Sequence, residues 1–215
     1  MTASDLDAVT VDANGTAVEL DDPTDRLQAA LAERGVERER DVVGAAFRAE
    51  VAYYLPRTLE GSDEASLADL LRRCTGVFLE HAEAGLEPEA FAPAFADSIR
   101  FRPLPGAVEA LGRLQGAGLA LACVSNWDAS LADQLERAGV GHYFATVVSS
   151  AEAGAAKPDP GAFAVALERL GVKPERALHI GDTEADSDGA AAAGLAFEPV
   201  PLATLPERLG LGRRP

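Results

Sequence analysis

The sequence predicts an α/β fold, a doubly wound parallel sheet with an inserted helical cap. Three observations predict it. Beyond Phe101, short apolar runs alternate with helical stripes, the pattern of parallel strands joined by crossover helices. A run of the same kind, Ala8-Val9-Thr10-Val11, stands near the N-terminus and ends at Asp12. Between the two, from about 23 to 98, the apolar spacing is helical and no strand pattern is visible. The first strand belongs to the sheet by its pattern, so the helical block is an insertion. The expected organisation is a core of residues 1–16 and 99–215 and a helical cap of residues 17–98.

Each element has a local reason. Asn14-Gly15-Thr16 breaks the first strand. In the inserted block Leu27, Ala30 and Leu31 share a helix face, with Pro23 near the start and Gly35 as a stop. Leu67, Leu70, Leu71, Cys74, Val77 and Phe78 follow the helix template, with Ser66 as N-cap. Three or four amphipathic helices are expected there. Later, Val108, Leu111 and Leu114 form a helical stripe, and Leu119 to Val124 is a buried strand ending at Ser125-Asn126. Ser130-Leu131-Ala132-Asp133 reads as a capping box, opening a helix that stops near Gly139. Ala145 to Val148 is a third strand, Ala162 to Leu170 a helix closed by Gly171, and Ala177 to Ile180 a fourth strand ending at Gly181-Asp182. A helix to Gly194 and a strand from Leu195 to Val200 follow. The terminal Gly-Leu-Gly-Arg-Arg-Pro is expected to fray.

The bulk properties exclude some functions. With 215 residues, 47% of them hydrophobic, the chain can build one full core, or one core plus a modest second lobe. No apolar run approaches the roughly 18 residues that a membrane span needs. Met1 to Asp7 is short, polar and acidic, unlike a signal peptide, so a cytoplasmic protein is expected. Cys74 and Cys123 sit in apolar surroundings and read as two buried reduced thiols. A net charge of -16 argues against nucleic acid as a partner, because phosphate backbones demand clustered Lys and Arg. An acidic chain still binds an anionic small molecule where a metal and a lysine neutralise it locally. A monomer or a homodimer is expected.

Polar residues collect just after the strands: Asp12 and Asn14, Ser125 and Asn126, Lys157, then Asp182 and Asp186. Open α/β sheets bind ligands outside the carboxyl ends of their strands, so these segments should converge on one crevice. Singly, each is an ordinary turn or surface residue. Jointly, they suit phosphoryl chemistry. A carboxylate can attack phosphorus and split one hard step into two. Mg²⁺ on oxygen ligands from Asp12 and Asp182 would relieve the repulsion between the two anions. Lys157 adds a positive charge, and the Ser125 hydroxyl can hold a transferring oxygen.

Taken together, these segments resemble the four motifs of the haloacid-dehalogenase-like hydrolases. Asp12-Ala-Asn-Gly-Thr16 resembles the first, Val124-Ser125-Asn126 the second, Lys157-Pro-Asp-Pro160 the third, and Gly181-Asp182-Thr183-Glu-Ala-Asp186 the fourth. The resemblance covers about 5–16 and 99–205, and the helical block lies where this family places a cap. It implies a hydrolase of the phosphatase type. Asp12 would be nucleophile and metal ligand, the Asn14 backbone carbonyl and Asp182 would bind Mg²⁺, and Asp186 would support it through water or hydrogen bonds. Ser125 and Lys157 would bind phosphate, with Asn126 lining the site. Trp127 and Asp128 flank it and are read as packing and helix-start residues.

One position departs from the family pattern. Phosphatases of this family carry an aspartate two residues after the nucleophile, which protonates the leaving group and then activates water. Here that position is Asn14, whose amide cannot exchange a proton at neutral pH. Three explanations compete: an engineered substrate-trapping change, a substrate with a good leaving group, or a slow or non-catalytic role. A 2-haloacid dehalogenase also lacks the second aspartate, but it needs no metal and would leave Asp182 and Asp186 as an unbalanced acidic cluster. A non-catalytic binding protein on the same fold is the other alternative.

Overall fold

The computed structural model describes residues 1–212. The chain divides into two compact units, one of residues 1–19 and 101–215 and one of residues 20–100.

In the first unit, strands β1 (Ala8–Val11), β4 (Ala120–Ser125), β5 (Thr146–Ser149), β6 (Ala177–Gly181) and β7 (Ala196–Pro199) form one sheet in the order β5-β4-β1-β6-β7. All its pairings are parallel, which places β1 at the centre with Val11 opposite both Cys123 and Ile180. Central strands buried on both faces read as continuous apolar runs, which is why the sequence shows them so clearly. The period of two sorts their side chains. Val9, Val11, Leu121, Cys123, Leu178 and Ile180 join one apolar cluster, while Ala8, Ala122, Val124 and Ala177 join another. Helices α5 (Ala107–Gly116), α6 (Leu131–Arg137) and α10 (Leu205–Arg208) contribute to the first cluster. Helices α7 (Ser150–Ala153), α8 (Gly161–Leu170) and α9 (Glu184–Ala193) contribute to the second.

The second unit holds helices α1 (Thr24–Ala32), α2 (Arg40–Tyr54), α3 (Glu64–His81) and α4 (Pro88–Ser98) around their own cluster, in which Phe78 stacks on Phe91 at 6.0 Å. The division between the units falls within β2 (Val18–Asp21) and at the start of β3 (Arg100–Pro103), which pair as a two-stranded sheet. Neither strand was expected. Each is four residues long and partly exposed, too short for a period-two pattern to register.

Other local expectations are corrected. The N-cap of α3 is Asp63, and Ser66 is its capping-box partner, their side chains each meeting the other's backbone N–H. The hydroxyl of Ser130 donates to Asp128 rather than capping α6. Val108 is exposed, and Ala107 and Ala110 take its place beside Leu111 and Leu114. Leu211, expected to fray, packs against the core and accepts a hydrogen bond from Arg113, while 213–215 lie outside the described residues. Both cysteines are buried, and among the described residues neither forms a disulfide, as expected. Among the described residues no helix is long and apolar enough to cross a membrane.

Glu50 was not singled out in the sequence, yet it is a buried carboxylate inside the second unit. Burial, only partly offset by a hydrogen bond from the Cys74 thiol, raises it from its ordinary 4.5 to about 7. Folding therefore takes up a proton between those values. Its contribution to stability is full below about pH 4.5 and is lost as pH rises to about 7, for a loss of about 3 kcal/mol. Glu50→Gln is expected to flatten this profile and to exceed the parent's stability at pH 8. Urea unfolding at pH 5 and pH 8 checks it. Equal pH slopes in the two proteins would show that Glu50 is not the titrating group.

Candidate functional site

Asp12 follows the last residue of β1, so the centre of the sheet delivers it to the carboxyl edge. The chain then turns sharply, held by hydrogen bonds from Gly15 N to Val18 O at 2.9 Å and from Ala17 N to Ala13 O at 2.9 Å. Gly15 takes φ +86°, and a Cβ there would run into the Asp182 carboxylate. The turn after β1 and the end of β6 therefore approach each other only because residue 15 has no side chain. Asn14 sits exposed in this turn.

The Asp12 carboxylate is buried and its Oδ1 is well supplied with donors. Ser125 Oγ, at the end of β4, donates to it at 2.9 Å, and Lys157 Nζ at 2.6 Å. The Lys157 ammonium has three protons and three acceptors: Asp12 Oδ1, Val124 O at 2.9 Å and Asp186 Oδ1 at 2.5 Å. Burial works against its charge, but the two carboxylates outweigh burial and hold the lysine above its ordinary range. Asn126 does not turn its amide to open space. Its side-chain oxygen accepts from Lys157 N at 2.7 Å and its nitrogen donates to Lys157 O at 3.0 Å. It thus braces the lysine through the main chain.

Asp12, Asp182 and Asp186 each place one carboxylate oxygen within 4.8 Å of the others. Asp182 is exposed, and partial burial together with the negative charges of Asp12 and Asp186 raises its pKa. Asp186 is held well below the usual carboxylate range, because His179, Lys157 and Thr183 outweigh its burial. Thr183 caps α9 on Asp186, its N–H donating at 3.0 Å and its hydroxyl at 2.6 Å to Oδ2. Both Asp186 oxygens are thus engaged by protein donors. Trp127 packs against Phe101 at 4.8 Å, and Asp128 accepts from Ser130 N at the start of α6, the packing and helix-start roles expected of them.

The sequence reading missed His179 and Thr10. A histidine inside an otherwise apolar strand was the available signal for the first. The capping box Thr183-Glu-Ala-Asp186 was a legible signal for Thr183.

Comparison with known proteins identifies the family. Over 119 residues the chain is 41% identical to a phosphoserine phosphatase of Thermus thermophilus, an alignment covering 53% of this chain and 48% of that one. The chain spans about half the length of the curated relatives it matches. A HAD phosphatase from Thermococcus onnurineus shares the fold with a TM-score of 0.62 at 23% identity, covering 95% of this chain and 98% of that one. L-2-haloacid dehalogenase from Xanthobacter autotrophicus aligns at 25% identity with a TM-score of 0.61, covering 95% and 83%. A family model for haloacid dehalogenase-like hydrolases matches residues 6–194, a span that takes in every strand-end residue described above and the helical insertion between them. The chain belongs to the haloacid dehalogenase-like hydrolases.

Proposed function

We propose that this protein is a Mg²⁺-dependent phosphatase acting on a small phosphorylated metabolite, with Asp12 as nucleophile. The observation that carries this reading is the placement of Asp12. Both of its protein donors, Ser125 and Lys157, meet Oδ1, and Asp182 stands beside the same turn. In this reading Oδ2 forms the bond to phosphorus while the ester P–O bond breaks, and its electron pair leaves with the departing oxygen. Water then cleaves the aspartyl-phosphate and returns the carboxylate and free phosphate. Ser125 and Lys157 hold the equatorial oxygens as charge develops on them.

The residues present fit a divalent cation. Three carboxylate oxygens converge, and hard oxygen donors are what Mg²⁺ takes. Asp12, Asp182 and the Asn14 carbonyl would hold it, with Asp186 acting through Lys157 and water because its own oxygens are engaged. When bound, the ion would offset the repulsion between the Asp12 carboxylate and an incoming phosphate. Residues 20–100 are assigned the role of a cap domain that selects the substrate, and the two buried cysteines outside any disulfide suit a reducing cytoplasm.

The test is Mg²⁺-dependent phosphate release from a panel of phosphorylated metabolites, together with calorimetric titration of Mg²⁺ into the parent and Asp182→Ala. The substitution is expected to weaken Mg²⁺ binding by at least the 10–100-fold typical of losing an outer-shell partner. Unchanged affinity would remove Asp182 from the site. A dehalogenase reading draws on Asn14 and on the similarity to L-2-haloacid dehalogenase. Halide release from 2-chloropropionate without phosphate release from any panel member would favour it.

A further inference from the structure

Behind the candidate site lies a polar chain that the chemistry above does not use. Thr10 on β1 and His179 on β6 are register partners in the sheet, and both are 0% exposed. They occupy the face of the sheet that carries the second apolar cluster, where the His179 ring meets the Phe163 ring edge-on at 4.7 Å. A histidine here is costly to bury unless both ring nitrogens are satisfied. Both are. Nε2 lies 3.1 Å from Asp186 Oδ1, and Nδ1 lies 2.9 Å from the Thr10 hydroxyl and 3.1 Å from the Thr10 carbonyl.

These distances define the proton arrangement. An ionised carboxylate only accepts, so the proton facing Asp186 belongs to Nε2. In the neutral ring Nδ1 is then an acceptor, and the Thr10 hydroxyl is the group placed to donate to it. That hydroxyl's other acceptor, Leu178 O, is distant at 3.5 Å. Burial, with the nearby Lys157 charge adding to it, keeps the ring on the neutral side despite Asp186.

We propose that His179 is a positioning residue for the catalytic lysine. It donates Nε2–H to Asp186 Oδ1, the same oxygen that receives Lys157 Nζ, and the Thr10 hydroxyl donates to the Nδ1 that this tautomer leaves unprotonated. The chain runs Thr10, His179, Asp186, Lys157, Asp12, and every link is a hydrogen bond of 3.1 Å or less. With Thr183 holding Oδ2, the histidine leaves Asp186 one orientation, and that orientation aims the ammonium at Asp12. The consequence for turnover rests on the phosphatase reading. The tautomer and the hydrogen-bond chain do not.

The experiment therefore has two arms. In the first, ¹⁵N-histidine NMR of the metal-free protein at neutral pH is expected to show a neutral His179 with a pyrrole-type Nε2 and a pyridine-type Nδ1. Thr10→Val, which is isosteric, is expected to change that pattern: with no hydroxyl to donate to Nδ1, the ring takes up a proton there and donates it to the residue 10 carbonyl. In the second, turnover of p-nitrophenyl phosphate with Mg²⁺ is measured for His179→Leu and His179→Gln. Leucine is expected to lower kcat by about 10–100-fold with KM within about threefold, the scale of losing an outer-shell partner. Glutamine, which keeps an N–H near the Nε2 position, is expected to recover most of it. A wild-type Nδ1–H tautomer, a Thr10→Val spectrum identical to the parent's, kcat of His179→Leu within twofold of the parent's, or equal impairment by Gln and Leu would each overturn the proposal. If His179→Leu does not fold, the two spectra decide. If the parent turns over no aryl phosphate, the phosphatase reading weakens and the spectra still judge the relay.

Discussion

Replacing Lys157 by methionine is expected to lower Mg²⁺-dependent turnover by about 10²–10³-fold, the scale of removing one preorganised donor from a transition state. The ammonium lies 2.6 Å from Asp12 and 2.5 Å from Asp186, with its third proton on the Val124 carbonyl. Methionine fills similar volume but leaves two buried carboxylates facing each other without a cation. That also destabilises the fold, by about 3–5 kcal/mol where a buried pair is broken. The burial of all three groups ties the fold to this change as well. Arginine is not expected to rescue. Its planar fork cannot aim three protons at three acceptors spread around one nitrogen. Steady-state kinetics well below the variant's melting temperature, with a thermal melt alongside, separates the two effects. Turnover within tenfold of the parent would mean that Lys157 does not touch the reacting group.

The largest gain is expected from Asn14→Asp. Asn14 stands two residues after the nucleophile in an exposed turn, and its amide cannot transfer a proton to a leaving group at neutral pH. If proton transfer is the only missing part, turnover by the parent should depend steeply on leaving-group pKa. Acyl and aryl phosphates depart as stable anions, whereas alkyl phosphates depart as alkoxides and need protonation. Asn14→Asp restores the acid at nearly constant volume. It is expected to raise turnover of alkyl phosphates by up to about 10²–10⁴-fold, or roughly 3–5 kcal/mol of barrier, and to change acyl phosphates far less. Hydrolysis of a leaving-group series by parent and variant checks this. A flat response in both would remove phosphoryl transfer from consideration and leave the hydrolase family assignment standing alone. A parent already fast on acyl phosphates would identify a specialised substrate class and not a disabled enzyme.

How far each of these arguments could run from sequence alone follows from which interactions are local. Asp12, Ser125, Lys157 and Asp182 were legible because each stands just after a strand or just before a helix, and buried strands announce themselves as apolar runs closed by turn residues. The alternation of those runs with helical stripes determined the parallel sheet and the helical insertion. Pairings between distant positions were not legible. Asn126 was expected to line the site, and nothing in the sequence showed that the backbone of Lys157, 31 residues away, meets both ends of its amide. Asp186 was expected to support a metal through water or hydrogen bonds, and the partners that meet its oxygens, Lys157, His179 and Thr183, could not be read from the sequence. Glu50 is one acid among many on a helix, and only the packing of the second unit buries it and raises its pKa. Thr10 and His179 are single letters inside apolar strands, separated by 169 residues, and became partners because β1 and β6 are neighbours in register. Periodicity and turn chemistry, carried by near neighbours in the chain, determined which residues would reach the edge of the sheet. Tertiary structure decided which oxygen each proton would meet, because a hydrogen bond depends on tenths of an ångström between segments that the sequence places far apart.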